Sequence, residues 1–488
     1  MNNQKKDLAI HTFVRILGGF ISFSSVFLMT YIFPVSQIGE YNLILSSINI
    51  SVSLGTLWLA QSILRFYYND KKLGFIIILS CCSLLVSVLI YIIFALIFKQ
   101  NINFWIITYI IIFGVYQIGD AFFRSSNKIY YYMILELAIS IGRIFPMIVF
   151  ALIFKSINAI FASQIILVGA LLLILILRNW RTFFSLDYKV DRADFTRYFK
   201  YGLPLVGLTV SNWVLSASDR YIISFLGSNS QVGIYSTNYL LANSIYMLFS
   251  LIVLGAFHPM IMREWQISKS STEKLVNESI NVYLSLMIPL SFYGILKSPV
   301  LLSFFKGSNY SHYASIFNWT VLGIFIYGLS MLFHKYFELI EKTILIFYFN
   351  MIAAVLNIIL NLVLIPLFGF QISAFTTFLS YLAYIILVHL NTRNSFTIKF
   401  NKKHLIIHFI FNLIFYLLDL FLVKNNSAIT FFIEGIIYVS LTFLIYQLTN
   451  IFKITDLIKK NRDLILIFNN RCKLMVSDWL KFYEKVSL

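Results

Sequence analysis

The sequence predicts an all-α integral membrane protein. Fourteen transmembrane helices are expected: two pseudo-symmetric six-helix halves plus two C-terminal helices, with both termini cytoplasmic. Three observations carry this. The 488 residues have a mean hydropathy of +0.83, with 59% hydrophobic and only 12% charged residues, whereas soluble domains carry about 25% charged residues. The apolar residues gather into runs of the roughly 20 residues that a bilayer core requires. A short phrase, "SQIGEYN" at 36–42, also returns as "SQVGIYS" at 230–236, 194 residues later.

The runs, in order, are 10–33, 41–63, 74–98, 103–123, 130–154, 158–177, 201–226, 232–257, 276–305, 312–333, 343–365, 370–390, 405–423 and 428–450. The first follows the basic "NNQKK", is too long for a signal-peptide core and has no small-residue cleavage site after it, so it is read as a span. Charge justifies the rest independently, because cytoplasmic loops concentrate Lys and Arg. With the N-terminus inside, the inner segments hold Lys5, Lys6 and Arg15, then Arg65, Lys71 and Lys72, then Arg124 and Lys128, and so on to a strongly basic tail. The outer loops hold only Lys99, Lys155, Lys297, Lys306 and Lys424. One misplaced span would scramble this alternation. The net charge of +18 therefore sets membrane orientation and does not point to nucleic acid. Cys81, Cys82 and Cys472 form neither a metal spacing nor a disulfide framework.

The repeated phrase divides the chain. Both copies stand at the outer start of an even-numbered span, six spans apart, so the two segments share orientation. Asn49 and Asn243 keep the same 194-residue offset, and "INAIFA" (157–162) is echoed by "ISAFTT" (372–377). This gives an N-terminal half over 1–177, a cytoplasmic linker over 178–200, and a second half over 201–391. Accessory helices 13 and 14 follow over 404–450, and a basic amphipathic tail occupies 451–488. Parallel repeats related by an axis along the membrane normal are a transporter architecture, with the pathway between the halves.

Polar groups inside spans nominate that pathway. An ionised side chain at the bilayer centre costs about 2.5–3.5 kcal/mol on insertion scales, so it faces a cavity or a partner. Arg143 lies deep in the fifth span, and Glu136, Ser140 and Arg143 share one helical face at i, i+4 and i+7. Asn212, Ser216 and Asp219 repeat the pattern in the seventh span, with Arg220 beside them. Asn49 in the second span, Asn243 in the eighth, and Asn357 and Asn361 in the eleventh complete the set. Two readings of each Ser and Asn stand side by side, pathway lining and interhelical glue. Asp219 and Arg220 are adjacent, hence about 100° apart around the helix. Asp219 is expected to face the opposite half or the cavity, and Arg220 the cavity or an outer gate; a structural ion pair is the other reading.

A family resemblance rests on these same segments. "KYGLPLVGLTVSNWVLSASDRYIISFLGSNSQVGIYSTNYLLANS" (200–244) resembles the seventh and eighth helices of bacterial polysaccharide flippases of the Wzx type, with early Pro204, the Asp219-Arg220 pair and the G-x-Y at 233–235. "NIILNLVLIPLFGFQISAFTTFLSYLAYIIL" (357–387) resembles the eleventh and twelfth, with Asn357, Asn361, Pro366 and Gly369, and "GEY" at 39–41 matches the first-half loop. The resemblance covers about 1–450 and places the chain in the multidrug/oligosaccharidyl-lipid/polysaccharide exporter superfamily. Many relatives stop at twelve helices; this chain adds two. The resemblance implies a flippase of the bacterial cytoplasmic membrane. It would move undecaprenyl-pyrophosphate-linked oligosaccharide repeat units from the cytoplasmic to the periplasmic leaflet by alternating access, in O-antigen, capsule or exopolysaccharide biosynthesis. Implied partners are the lipid-linked oligosaccharide, membrane lipids, a polysaccharide polymerase, a chain-length regulator, and a coupling ion (H⁺ or Na⁺) taken up at Glu136 or Asp219. No cofactor or metal is implied.

Two other classes remain open at this point. A multidrug or cation antiporter of the same superfamily shares the two halves. A membrane glycosyltransferase or polymerase is disfavoured, because no outer loop exceeds about ten residues and no phosphate-gripping Gly loop, HExxH or nucleophile elbow occurs. Asp187, Asp191 and Asp194, in the basic 178–200 loop, read as solvated charges on a connecting helix. The tail pairs an apolar rhythm through Leu464, Phe468, Cys472, Met475 and Trp479 with surrounding Lys and Arg, the pattern of a helix lying on the anionic inner leaflet.

Overall fold

The computed structural model describes residues 24–126, 129–142, 145–154, 156–178, 191–306, 310–393, 396–422 and 428–449. Every regular element among them is helical: α1 (24–32), α2 (Val35–Asp70), α3 (Leu73–Ile97), α4 (Phe104–Ser125), α5 (Ile129–Gly142), α6 (Phe145–Phe154), α7 (Ile157–Arg178), α8 (Arg192–Leu226), α9 (Asn229–Trp265), α10 (Lys269–Leu296), α11 (Ser298–Ser303), α12 (Ala314–Phe333), α13 (Lys335–Leu339), α14 (Thr343–Phe368), α15 (Ile372–Thr392), α16 (Lys402–Leu422) and α17 (Ala428–Leu448), with one 3₁₀ turn at Tyr310–Tyr313. Helices satisfy every backbone group internally, which a hydrocarbon environment demands. Eleven of the described helices are long and apolar enough to cross a membrane. The other three expected spans correspond to α1, to the α5–α6 pair, and to α8, whose polar content includes Asp219 and Arg220.

Caps place the helix ends. Asn103 Oδ1 accepts from Ile106 N to start α4, and Asp191 accepts from Ala193 N to start α8. Ser228 and Gln231 form a reciprocal capping box at the start of α9. Lys71, at φ 51°, turns the chain out of α2 in the left-handed region. Helices α2, α8 and α9 have 36, 35 and 37 residues, about 50 Å or more at 1.5 Å per residue. They exceed a hydrocarbon core of about 30 Å, so their ends reach beyond it.

Residues 1–401 form one compact unit. In it α2 packs on α3 and α4, and α4 on α7; α9 packs on α10 and α12, and α12 on α15. The two sets run in the same order, with α9 in the place of α2. The sets meet through α2, which lies against both α8 and α9. One apolar cluster joins Ile48, Val52, Tyr91, Ile110 and Phe161 within the first set. Another links Leu43 of α2 to Tyr221, Val232, Tyr235, Ile316 and Ile365 of the second. Lipid is as apolar as these side chains, so close packing and interhelical hydrogen bonds hold such helices together. Residues 402–488 form a second unit. Within it Tyr438 OH donates to Asn412 Oδ1 at 2.6 Å, and the Phe415 and Tyr438 rings meet edge-on at 4.5 Å. The amphipathic tail expected over 451–488 lies outside the described residues.

Candidate functional site

The repeated phrase has a structural role. Gly39 of α2 and Gly233 of α9 lie at the crossing of these two helices, at the outer end in the charge-derived topology. A Cβ on Gly39 would stand 1.9 Å from the Asn229 carbonyl oxygen, and one on Gly233 would stand 2.1 Å from the Val35 carbonyl oxygen. Val35 and Asn229 are themselves 194 residues apart, so the contact is reciprocal. Only glycine permits this backbone approach.

The same interface is closed along its length. Tyr221 OH meets Ser47 Oγ at 2.8 Å, and Trp213 Nε1 donates to Ser46 O at 3.1 Å. At the inner end Ser62 Oγ donates to Tyr198 O at 2.6 Å, and a Cβ on Gly202 would lie 2.0 Å from Trp58 O. Two ion pairs finish it, Arg197 to Asp70 at 2.6 Å and Lys72 to Asp194. Asp194 is therefore a buried ion-pair partner and not the solvated charge expected. The hydrogen bond to Asp194 raises the Lys72 pKa above its ordinary range.

Between these ends α2 carries an accessible row that winds around the helix, drifting about 40° with each i+4 step. Leu45, Asn49, Ser53, Leu57, Gln61 and Arg65 are each at least partly exposed at i+4 spacing, and their neighbours Ile48, Val52, Leu59 and Ile63 are buried. A polar stripe on a helix otherwise enclosed by protein fits a hydrated path. Asn49 is exposed on it, and Asn243 on α9 is half-buried.

Asp219 lies elsewhere. It sits two turns before the outer end of α8 and is 1% exposed. Its carboxylate accepts from Tyr235 OH, from Thr377 Oγ1 at 2.8 Å and from Asn361 Nδ2 at 2.7 Å. Asn357 and Asn361 lie one turn apart on α14 and present both amides to the same point. Asn357 Nδ2 donates to Thr377 Oγ1 at 3.2 Å, Asn357 Oδ1 accepts from Ser218 Oγ at 3.2 Å, and Asn361 Oδ1 accepts from Thr376 Oγ1 at 2.5 Å. The partners come from α8, α9, α14 and α15, all in the second half. Asp219, Asn357 and Asn361 thus do not line the interface between the halves, correcting the expectation that they would. A buried carboxylate survives only if hydrogen-bonded, and here the network is nearly saturated. Its oxygens suit a proton or a hard monovalent cation. A proton would convert Asp219 from acceptor to donor; a cation would draw the Asn361 carbonyl oxygen inward. Among the described residues no group of three or more His, Cys, Asp or Glu gathers as a metal site.

Arg220 makes its direct contacts elsewhere. Its Nη1 donates to Ser216 O at 3.1 Å, and its guanidinium lies 5.1 Å from the Tyr239 ring centroid. It is 7% exposed, so it is an internal support and lines no open path. Asn212 Oδ1 accepts from Asn350 Nδ2 and, at 3.3 Å, from Tyr327 OH, and Ser216 Oγ donates to Trp213 O at 3.4 Å. These are interhelical and local bonds, the glue reading. In the fifth expected span, Glu136 accepts from Tyr116 OH at 2.5 Å. Arg143 lies outside the described residues, and so does the Ser140 side chain. Sequence reasoning missed Tyr235 and Thr377 as ligands of Asp219, although both stand in the echoed phrases.

Comparisons with known proteins bear on the fold. Residues 75–315 match the family described as "Polysaccharide biosynthesis protein". The structure is similar to a lipid II flippase, MurJ, in an inward closed conformation, with a TM-score of 0.69 at 15% identity, covering 94% of this chain and 99% of that one. This is the fold of the MOP superfamily. A multidrug resistance MATE family transporter of that superfamily, in an inward-facing conformation, aligns with a TM-score of 0.55 at 14% identity over 78% of this chain and 94% of the other. A point mutant of the Vibrio cholerae MATE transporter VcmN aligns with a TM-score of 0.51 at 13% identity over 81% and 98%. No curated protein sequence matches the chain. The fold that the resemblance implied is borne out: the chain is a multi-pass membrane protein of MOP fold.

Proposed function

We propose that this protein flips undecaprenyl-pyrophosphate-linked oligosaccharide repeat units across the bacterial cytoplasmic membrane during surface polysaccharide biosynthesis. The observation that carries the reading is the polar stripe of α2, Asn49–Ser53–Gln61–Arg65, accessible between two closed ends of an inter-half interface. A sugar head and its pyrophosphate need a hydrated path with a cation, while the polyprenyl tail stays in lipid. Support also comes from the polysaccharide biosynthesis match over 75–315. The two six-helix halves rock about α2, opening the Gly39–Gly233 crossing or the Asp70–Arg197 contact in turn. Arg65 engages the pyrophosphate at the inner entrance, and Arg143 is the second cationic residue in this reading. Asp219 takes up the coupling ion, H⁺ or Na⁺. Its enclosure by hydrogen-bonding oxygens favours it over Glu136, which is held by Tyr116.

The MATE likenesses sustain an antiporter as the second reading. The two are separated by expressing the gene in a host lacking its surface-polysaccharide flippase and, separately, in a drug-sensitive efflux-deficient host. Restored polymer, lost with Arg65→Ala, supports the flippase. Drug resistance without polymer in a host supplied with the cognate glycosyltransferases refutes it.

A further inference from the structure

The three outer connections of the first half converge on a cavity of about 340 Å³. Gln37 and Glu40 come from the start of α2, Asn101 and Asn103 from the α3–α4 connection, and Ser156 and Asn158 from the start of α7. The polar groups are of mixed kind. Asn101 Nδ2 donates to Glu40 Oε1 at 2.5 Å, and Asn103 Nδ2 donates to Asn158 Oδ1 at 3.0 Å while Asn103 Oδ1 caps α4. Gln37 Oε1 is shielded from solvent and has no hydrogen-bond partner. Ile44, Ile106 and Ile157 supply an apolar floor.

This donor set discriminates between ligand classes. A hard cation needs a shell of free oxygens, but here Glu40 Oε1 and Asn158 Oδ1 already accept from amide N–H groups. An anion would meet the Glu40 carboxylate, and no Lys or Arg stands among the described residues of the lining. A neutral polyhydroxyl ring needs alternating donors and acceptors and an apolar surface for its C–H face, and a side-chain amide offers both functions at once. The internal repeat gives an independent contrast. The second phrase keeps the glycine and tyrosine, but Ile234 replaces Glu40, Ser373 replaces Asn158, and Gln231 is used to cap α9. The cavity beside Gln231 measures about 210 Å³ and is lined by Ile223, Leu226, Ile365, Pro366 and Phe370. That cavity lies against the ends of α8 and α14, so the contrast rests on the sequence: Glu40 and Asn158 are replaced by Ile234 and Ser373 in the second copy.

We propose that this outer pocket of the first half is a binding site for a neutral saccharide. The site deepens the flippase reading and rests on it only for its physiological ligand, the head group leaving the pathway at the outer face. Gln37 and Glu40 flank Gly39, so an occupied pocket bears directly on the α2–α9 crossing.

The test uses the full chain in nanodiscs and saturation-transfer NMR. The probes are methyl glycosides of a neutral hexose, an N-acetylhexosamine and a hexuronic acid, plus a prenyl-pyrophosphoryl form of the neutral hexose. Neutral sugars should show transfer that Glu40→Ile, the residue of the other repeat, weakens about tenfold or more. Asn158→Ala should weaken it in the same direction, guarding against misfolding of either variant. The hexuronate should be excluded by the wild type and admitted by Glu40→Gln. Tighter binding of the prenyl form assigns the ligand to the transported lipid, and equal binding assigns it to free saccharide. Absence of transfer from any sugar, or transfer unchanged in both Glu40→Ile and Asn158→Ala, overturns the site. So does a calcium-induced rise in thermal stability that Glu40→Gln abolishes, which would assign the pocket to a cation. Polymer export in the flippase-deficient host is scored separately: sugar binding without export would sink the flippase reading and leave the pocket standing.

Discussion

Substitution of Gly39 by alanine tests the closure of the outer end directly. The added Cβ would lie 1.9 Å from Asn229 O, whereas ordinary contact begins at 3.4 Å. The helices must therefore separate by about 1.5 Å at the crossing. The obstructing atom is backbone, so no side-chain rotation relieves it. Overpacking of this kind costs about 1–3 kcal/mol, and only the state closed at the outer end bears that cost. The closed population should fall relative to the open one by about 5–150-fold. Gly233→Ala should act the same way through Val35 O, at 2.1 Å. The two residues strain one crossing, so the double variant should fall short of the sum of the singles. Ser36 and Ser230 are both exposed beside it. Spin labels at Ser36→Cys and Ser230→Cys, with Cys81, Cys82 and Cys472 replaced by Ser, would report the separation in nanodiscs. A new long-distance population, with export slowed in proportion, is expected. Unchanged distances and normal polymer in both single variants would refute the argument that this crossing is the outer closure.

Other predictions follow from the same contacts. Asp219→Asn keeps the shape of the side chain and removes its charge; it should leave membrane yield nearly intact while removing the dependence of transport on the coupling ion, measured with proteoliposomes under imposed Na⁺ and H⁺ gradients. Equal ion dependence in the variant would exclude Asp219 as the coupling group. Charge reversal at the inner end, Asp70→Arg, should open that end by placing two guanidinium groups together, and Asp70→Arg with Arg197→Asp should recover part of the export lost; absence of any recovery would show that Asp70 acts through Tyr198, whose OH lies 3.3 Å from it. The raised Lys72 pKa means that its pairing with Asp194 is complete below the ordinary lysine value and is lost only as pH rises through the raised one. The distance between spin labels placed across the inner end should accordingly be flat from pH 6 to 9, and a step within that window would assign the titration to another group. Arg143→Ala should abolish polymer at normal protein level, with partial retention in Arg143→Lys, which keeps the charge and loses the planar fork.

The bilayer made most of the fold legible. It requires runs of fixed length and sorts Lys and Arg by side, so α3, α4, α14, α15, α16 and α17 fall within a few residues of their expected spans. Hydropathy sees only the hydrocarbon, however, and α2, α8 and α9 run on into polar segments that it reads as loops. Asp194 was placed in such a loop because its partner, Lys72, lies 122 residues away. The chemistry was legible as residues and not as a site. Asp219, Asn357 and Asn361 each stood out as polar groups in apolar runs, yet a helical stripe does not say which helix it faces. Their convergence depends on α8, α14 and α15 being neighbours, a fact of packing with no local signature. Tyr235 and Thr377 lay inside the echoed phrases, where their repetition spoke of symmetry and hid their contact with Asp219.

The duplication and its departures divide the labour of the molecule. What the two copies share is backbone geometry: Gly39 and Gly233 must both be glycine because each receives the other's helix. What they do not share is chemistry. The counterpart of Asp219 at the 194-residue offset is Ser25, and the counterpart of Tyr235 is Tyr41, which packs on Phe161 with ring centroids 5.5 Å apart and belongs to an apolar cluster. The counterpart of Glu40 is Ile234. Among the described residues the Asp219 carboxylate network stands in the second half and the polar outer pocket in the first. An assembly that rocks about a symmetric crossing needs an asymmetric source of bias, since two equivalent halves would respond identically to an ion or a head group. The carboxylate network stiffens one half through four helices, and the pocket stands at the crossing on the other. In the proposed flippase reading, occupancy of either position would be felt at Gly39 and Gly233, where the halves touch through backbone and packed interiors leave little slack.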